Sequence, residues 1–175
     1  MGRKINSRVA LITRCALFAA VTALLSQIAF PLGGFPFSMG IFGAMMCGAL
    51  LSPAAALLSQ TAYLLLGAVG LPVFAGFQGG LQHILGPTGG FLAAYPFVAL
   101  IISLLCRKGV LKQAVGYGLA LCLCYLLGSC WYAAMGGVSI LAALGVTVLP
   151  FLIPDIIKAF LCAVLSSSIR KRIRL

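Results

Sequence analysis

An acidic and a basic side chain stand three residues apart within an apolar stretch, in the run Pro154-Asp155-Ile156-Ile157-Lys158. Residues at this spacing are neighbours on one face of a helix. Asp155 is the only acidic residue of the chain, and charges inside a membrane span are costly and usually face a functional interior. We therefore predict a polar ligand site, in which the carboxylate accepts from N–H groups and the amine donates to carbonyl or carboxylate oxygens.

The alternative interpretation of the same pair is structural. Pro150 and Pro154 should kink the helix or restart it near Asp155, because proline removes a backbone donor and clashes with the preceding turn. A restarted helix has free N–H groups in its first turn, and these would lie near the carboxylate. Asp155 and Lys158 would then form an internal ion pair that caps a kinked helix, without any ligand.

A glycine-rich segment without charges, residues 70–90, offers the second group of candidate ligand contacts. We call it the outer segment. Its apolar residues predict that it folds back onto the protein, since non-helical backbone near a membrane is tolerated where it is buried or lines a cavity. The alternative is simple loop flexibility, with His83 as a solvated loop residue. From this segment we take five candidate ligand contacts, which are Phe74, Gln78, Gly79, His83 and Thr88.

The composition indicates which class of protein must position these residues. Apolar residues make up 63% of the 175 positions and charged residues only 7%, whereas soluble domains carry about 25% charged residues. Such a chain cannot cover a water-facing surface with polar groups. This excludes a soluble globular protein, a disordered tail and a nucleic-acid-binding protein, and it indicates a helical membrane protein.

Six apolar segments approach the length of about 20 residues that a membrane helix needs. The predicted fold is therefore all-α, a polytopic membrane protein whose residues 1–175 form a single six-helix transmembrane domain. Ser52-Pro53 separates the second span from the third, because a proline directly after a serine is a helix start signal. The predicted spans are approximately Ala10–Phe30, Phe37–Leu51, Ala54–Gly70, Gly89–Cys106, Ala114–Ala134 and Gly145–Ser168.

The positions of the basic residues predict the orientation of this bundle. With six spans, eleven of the twelve Lys and Arg residues fall on one side of the membrane. The positive-inside rule makes that side cytoplasmic, with both termini there, and the basic ends would contact anionic lipid headgroups. We predict a multi-pass protein of a bacterial-type cell membrane. The eleven residues are Arg3, Lys4, Arg8, Arg14, Arg107, Lys108, Lys112, Arg170, Lys171, Arg172 and Arg174.

Catalytic and metal-binding patterns are missing from the sequence. The seven cysteines form no C-x-x-C pair, there is one histidine, and no phosphate-binding G-x-x-x-x-G-K-[ST] loop occurs. A protease would need a nucleophile with a base or a metal-ligand cluster, and ATP hydrolysis would need the phosphate loop. We therefore predict that the protein is not an enzyme, binds no metal and has no cofactor.

Span one carries small residues four positions apart, at Ala16 and Ala20 and again at Ala19 and Ala23. Stripes of this kind allow helices to approach closely in membranes. The stripe at Ala16 and Ala20 is our candidate docking face for another membrane subunit. Packing within the bundle is the alternative.

Several runs of the sequence are similar to one known family. They are Leu66-Gly67-Ala68-Val69-Gly70-Leu71-Pro72-Val73-Phe74-Ala75-Gly76, Gly86-Pro87-Thr88-Gly89-Gly90-Phe91 and Pro154-Asp155-Ile156-Ile157-Lys158, together with residues 16–25 and 33–40. On these residues the chain resembles the BioY family, the biotin-specific substrate-binding components of energy-coupling factor (ECF) transporters. The resemblance covers essentially the whole chain.

The resemblance implies a six-helix bundle with a biotin pocket near the outer face, covered by the loops after spans one and three. It implies that Asp155 and Lys158 are polar contacts to biotin, the transported ligand. It also implies partners, namely a transmembrane coupling subunit and two cytoplasmic ATPases. The alternative function is a self-sufficient carrier or channel for a small solute, gated by Asp155 and Lys158.

Overall fold

The computed structural model describes residues 2–32, 35–106 and 109–173, and it is mostly helical. Helices overlap each of the predicted spans, with differences at both ends of the first span and within the sixth. In chain order the elements are α1 (Gly2–Ser26), β1 (Ala29–Leu32), β2 (Phe35–Ser38), α2 (Gly40–Leu50), α3 (Pro53–Ala68), α4 (Leu81–Ile84), α5 (Gly89–Leu105), α6 (Val110–Gly136), α7 (Ile140–Thr147) and α8 (Leu149–Ile173).

A short β-hairpin shows that the all-α prediction was incomplete. Strands β1 and β2 pair antiparallel, with Pro31 opposite Pro36 and Phe30 opposite Phe37. Helix α1 consequently ends at Ser26, whereas the apolar pattern placed the end of span one at Phe30. Pro31 disfavours the α conformation at Phe30, so the helix cannot continue to its predicted end, and the pairing of Ala29–Leu32 with β2 requires extended backbone before that point.

The predicted sixth span consists of two helices. Helix α7 ends at Thr147, Val148 is a turn residue, and α8 begins at Leu149. The predicted restart therefore occurs before Pro150, while Pro154 lies inside α8. The outer segment also contains one helical turn, α4, which was not predicted because the segment is rich in glycine.

Among the described residues, length and composition identify three helices that can cross a membrane, which are Arg8–Ser26, Val110–Gly136 and Leu149–Arg172. Helices α2, α3 and α5 are also apolar but shorter. The 11 residues of α2 extend only about 16 Å, compared with about 30 Å for the hydrocarbon core.

Close helix packing defines the centre of the bundle. Helix α5 packs against α2, α3 and α6, while α1 packs against α2 and α3. Gly48 of α2 lies so close to α5 that a Cβ atom there would be 2.4 Å from the Ala99 carbonyl oxygen. Glycine at this position therefore allows the two backbones to touch, and the fully buried Met45 and Val98 fill the core beside them.

Polar contacts connect the predicted cytoplasmic ends of the helices. The Arg170 guanidinium of α8 donates to the Cys106 carbonyl at the end of α5, over 2.9 Å, and to the Ala49 carbonyl near the end of α2. A cation at helix C-termini is favourable, because free carbonyl groups concentrate there. The basic C-terminal turn of α8 thus lies at the same end of the bundle as the α5–α6 connection.

Candidate functional site

The side chains of Asp155 and Lys158 form a buried ion pair on α8. Lys158 Nζ is 2.9 Å from Asp155 Oδ1, and the two residues are only 4–5% exposed. This is the contact that the three-residue spacing predicts. A buried charge is tolerated only when it is paired and hydrogen-bonded, so the additional partners of the two groups determine the character of the site.

Each member of the pair has a second partner from a distant part of the chain. The Tyr125 hydroxyl of α6 donates to Asp155 Oδ2 over 2.9 Å. Lys158 Nζ donates to the Ser38 carbonyl at the end of β2, over 2.8 Å, and lies 3.7 Å from the centre of the Phe37 ring. The amine is therefore held by a carboxylate, a carbonyl and an aromatic face, the last of these a cation–π contact.

Backbone groups of the restarted helix make no contact with the carboxylate among those that the structure shows. The N–H groups of Phe151 and Leu152, in the first turn of α8, both bond to the Val148 carbonyl. The prediction that free backbone N–H groups lie beside the Asp155 carboxylate was therefore wrong. The carboxylate is bonded instead by the Tyr125 hydroxyl and the Lys158 amine. Helix α8 begins six residues before Asp155, so the N–H groups of its first turn are too far from the carboxylate to bond to it.

A cavity of about 120 Å³ opens beside the ion pair. Its wall combines residues of the hairpin, α2, the outer segment, α5, α6, α7 and α8. Six of the seven predicted ligand contacts line it, namely Phe74, Gln78, His83, Thr88, Asp155 and Lys158. The cavity therefore brings together residues that are up to 122 positions apart in sequence, from Pro36 to Lys158.

Gly79 is the predicted contact that does not line this cavity. Its carbonyl accepts a bond from the Gln82 amide over 3.1 Å. A Cβ atom at Gly79 would lie 2.3 Å from the Leu71 carbonyl oxygen. Glycine is thus required here for close packing of the outer segment on itself.

Sequence reasoning missed most of the aromatic wall of the cavity. Three of the missed residues contact the ion pair, namely Phe37, Ser38 and Tyr125. Only Tyr125 gave a signal in the sequence, a hydroxyl within an apolar span, because buried tyrosines usually find a polar partner. Phe37 was not proposed as a ligand contact, because it was assigned to the start of the second membrane span. The missed lining residues are Pro36, Phe37, Ser38, Ile41, Ala75, Phe91, Leu92, Tyr95, Tyr125, Thr147 and Phe151.

The arrangement suits a small molecule that is apolar over most of its surface and polar at a few points. Aromatic and aliphatic side chains with a few placed polar groups are typical of small-molecule pockets. Within the described ranges, no group of three His, Cys, Asp or Glu side chains could hold a metal ion. Fold and cavity together define a helical membrane protein with a binding site for a small amphipathic ligand.

Comparison with known proteins places the chain in a family. The model of the BioY family matches residues 1–175, and the chain belongs to this family. It is 38% identical over 155 residues to the "Probable biotin transporter BioY" of Pyrococcus horikoshii, covering 89% of this chain and 93% of that protein. It is 37% identical over 148 residues to the "Biotin transporter BioY" of Thermotoga maritima, covering 83% and 78%.

A solved structure has the same fold. The crystal structure of the S-component for biotin from an ECF-type ABC transporter superposes with a TM-score of 0.79 at 30% sequence identity. The match covers 95% of this chain and 93% of that one. The family resemblance seen in the sequence is therefore confirmed.

Proposed function

We propose that this protein is the biotin-binding S component of an ECF transporter, which captures biotin on the outer side of the membrane for import. The observation that carries this proposal is the Asp155–Lys158 pair in the wall of an aromatic-lined cavity. Biotin has a ureido ring with N–H donors and a carbonyl, an apolar thioether ring and a valerate tail. A carboxylate and an amine suit the ureido group, while the aromatic wall suits the thioether ring.

Biotin binding by the purified protein tests the proposal directly. We expect saturable binding of biotin in detergent or in lipid nanodiscs, with no comparable binding of other vitamins. The measurement is equilibrium binding of labelled biotin with competition by the unlabelled vitamins. Absence of biotin binding by folded protein would refute the assignment.

The partners follow from the same assignment. We propose that a transmembrane coupling subunit and two ATPase subunits supply the energy, and that the protein itself has no enzymatic activity and needs no cofactor or metal. The match to an S-component of an ECF-type ABC transporter supports this. The relatives give no support to the alternative of a carrier or channel gated by Asp155 and Lys158, and biotin uptake in cells without a coupling subunit would distinguish the two.

We further propose that residues 1–175 form one domain of six membrane spans in a cell membrane of bacterial type, with lipid around the bundle and both termini cytoplasmic. Helices α1, α2, α3, α5, α6 and α8 would be the six spans. The contact from Arg170 to Cys106 supports this arrangement, because it joins the C-terminal basic cluster to the α5–α6 connection. The basic residues at the C-terminus and those of the α5–α6 connection would therefore lie at the same end of the bundle.

Topology can be measured by cysteine labelling in a variant whose seven native cysteines are replaced. A cysteine at Ser139 should react with a membrane-impermeant maleimide added to intact cells, whereas one at Lys112 should react only after the membrane is opened. Both side chains are exposed, so access through the membrane alone should decide the outcome. The reverse pattern would overturn the six-span arrangement.

A further inference from the structure

The side chain of Gln27, just beyond the end of α1, is bonded to the outer segment at two points. Its Oε1 atom accepts a bond from the Phe77 N–H over 2.7 Å. Its Nε2 atom donates to the Pro72 carbonyl over 3.4 Å and to the Ala23 carbonyl of α1 over 3.0 Å. One amide thus connects the first long helix to a loop about 50 residues later in the chain.

The backbone that Gln27 holds has an unfavourable conformation. Phe77 has a φ of +57°, and within the described residues it is the only non-glycine residue with a positive φ. Its side chain is 73% exposed, so side-chain packing does not impose this conformation. Strained backbone persists where the surroundings over-determine it, and the bond from the Phe77 N–H to Gln27 is a specific contact that does so.

The strained residue belongs to a tight turn that borders the cavity. The backbones of Phe74 and Gln78 bond to each other in both directions, over 2.9 and 3.3 Å, and close the turn around Phe77. Both of these residues line the cavity, and the Phe74 side chain is only 2% exposed. A displacement of this turn would therefore move two parts of the cavity wall.

The last turn of α1 also supports this turn from its buried side. The Ser26 hydroxyl lies 2.9 Å from the Tyr63 hydroxyl, which donates to the Val73 carbonyl over 3.1 Å. The Tyr63 ring also packs edge-on against Phe74, with 5.7 Å between the ring centres. The turn is thus fixed on its buried side, and Gln27 is the contact that holds its exposed side.

We propose that Gln27 is a positioning residue that keeps the turn at residues 74–78 closed over the ligand cavity and thereby slows the release of the ligand. The proposal rests on the proposed function for the identity of that ligand, which is biotin. Gln27 itself does not line the cavity, so it acts through the position of Phe74 and Gln78.

The test compares two substitutions that separate the shape of Gln27 from its hydrogen bonds. Gln27→Met keeps the length of the side chain but removes all three of its hydrogen bonds, whereas Gln27→Glu keeps the acceptor for the Phe77 N–H and loses the two bonds that Nε2 donates. We expect Gln27→Met to raise the biotin dissociation rate about five- to twentyfold, the effect of losing one to two hydrogen bonds to the outer segment. The biotin dissociation rate of Gln27→Glu should stay within about threefold of that of the parent.

Hydrogen exchange of the ligand-free protein distinguishes a local loosening of the turn from a general loss of stability. In Gln27→Met, amide exchange should accelerate in the peptide that covers residues 72–78 and remain unchanged in α5 and α6. Gln82→Met is the matched control, because it makes the same change at an exposed glutamine of the outer segment whose amide donates to the nearby Gly79 carbonyl.

Unchanged dissociation and exchange in Gln27→Met would overturn the proposal, as would faster dissociation without faster exchange at residues 72–78. If Gln27→Met does not fold, Gln27→Asn serves instead, since its amide is one methylene too short to reach the Phe77 N–H. Should the parent not bind biotin, the proposed function fails, whereas the exchange measurement still tests the contact between Gln27 and the turn.

Discussion

Replacing Asp155 by asparagine should weaken biotin binding roughly 5- to 150-fold, the effect of leaving buried polar groups unpaired at about 1–3 kcal/mol. Asparagine keeps the shape and one acceptor, but it removes the charge that compensates Lys158 over 2.9 Å. The Tyr125 hydroxyl, which donates to the other carboxylate oxygen, also loses its charged acceptor. The measurement is equilibrium binding, with the melting temperature as a check of folding.

A double substitution decides between a ligand site and a structural ion pair. Asp155→Leu combined with Lys158→Met removes both charges together, and replacing a buried pair by apolar residues is often neutral or stabilising. If the residues contact biotin, this variant should fold yet bind biotin at least as weakly as Asp155→Asn. Binding equal to the parent would show that the pair is structural and that the site assignment is wrong.

The control for the double substitution is Lys112→Met, which removes a positive charge from an exposed lysine outside the cavity. Its biotin affinity should equal that of the parent. Because Ser38 and Tyr125 also lose a partner in the double variant, its melting temperature should be compared with that of the parent before affinities are interpreted.

Replacing Ala16 and Ala20 with tryptophan should abolish biotin uptake while biotin binding persists. Bulky side chains prevent the close approach of helices that small residues permit. Ala16 and Ala20 are exposed, whereas Ala19 is buried and Ala23 packs against the core. The two alanine stripes thus lie on adjacent sides of α1, one exposed and the other turned toward the core, and the exposed one is the candidate docking face.

Uptake should be measured in cells that express the coupling subunit and the ATPases, and binding on the purified protein. Ala134→Trp is the matched control, because it adds the same bulk at an exposed alanine near the other end of a different helix, α6. It should leave both uptake and binding intact. Loss of binding together with uptake in the Ala16 and Ala20 variant would mean that this stripe packs within the bundle.

Local physics made part of the protein predictable from its sequence. Apolar runs specify where helices form. The start signal Ser52-Pro53 is confirmed, because α3 begins at Pro53. The ion pair of Asp155 and Lys158 was also predictable, because a spacing of three residues fixes two side chains on one helix face. The polar groups of the outer segment pointed to three of the cavity residues, Gln78, His83 and Thr88, because hydrogen-bonding side chains are rare in so apolar a chain.

Contacts between distant residues could be decided only by the tertiary structure. Tyr125 is 30 positions from Asp155, and the Ser38 carbonyl is 120 positions from Lys158. No pattern along the chain encodes such pairs, because they depend on how α6, α8 and the hairpin pack. The hairpin itself was not predicted, because the apolar residues of its two strands continued the patterns of spans one and two, and β-pairing depends on a partner strand. For the same reason Gly79 was assigned to the ligand, although its close contact is with Leu71.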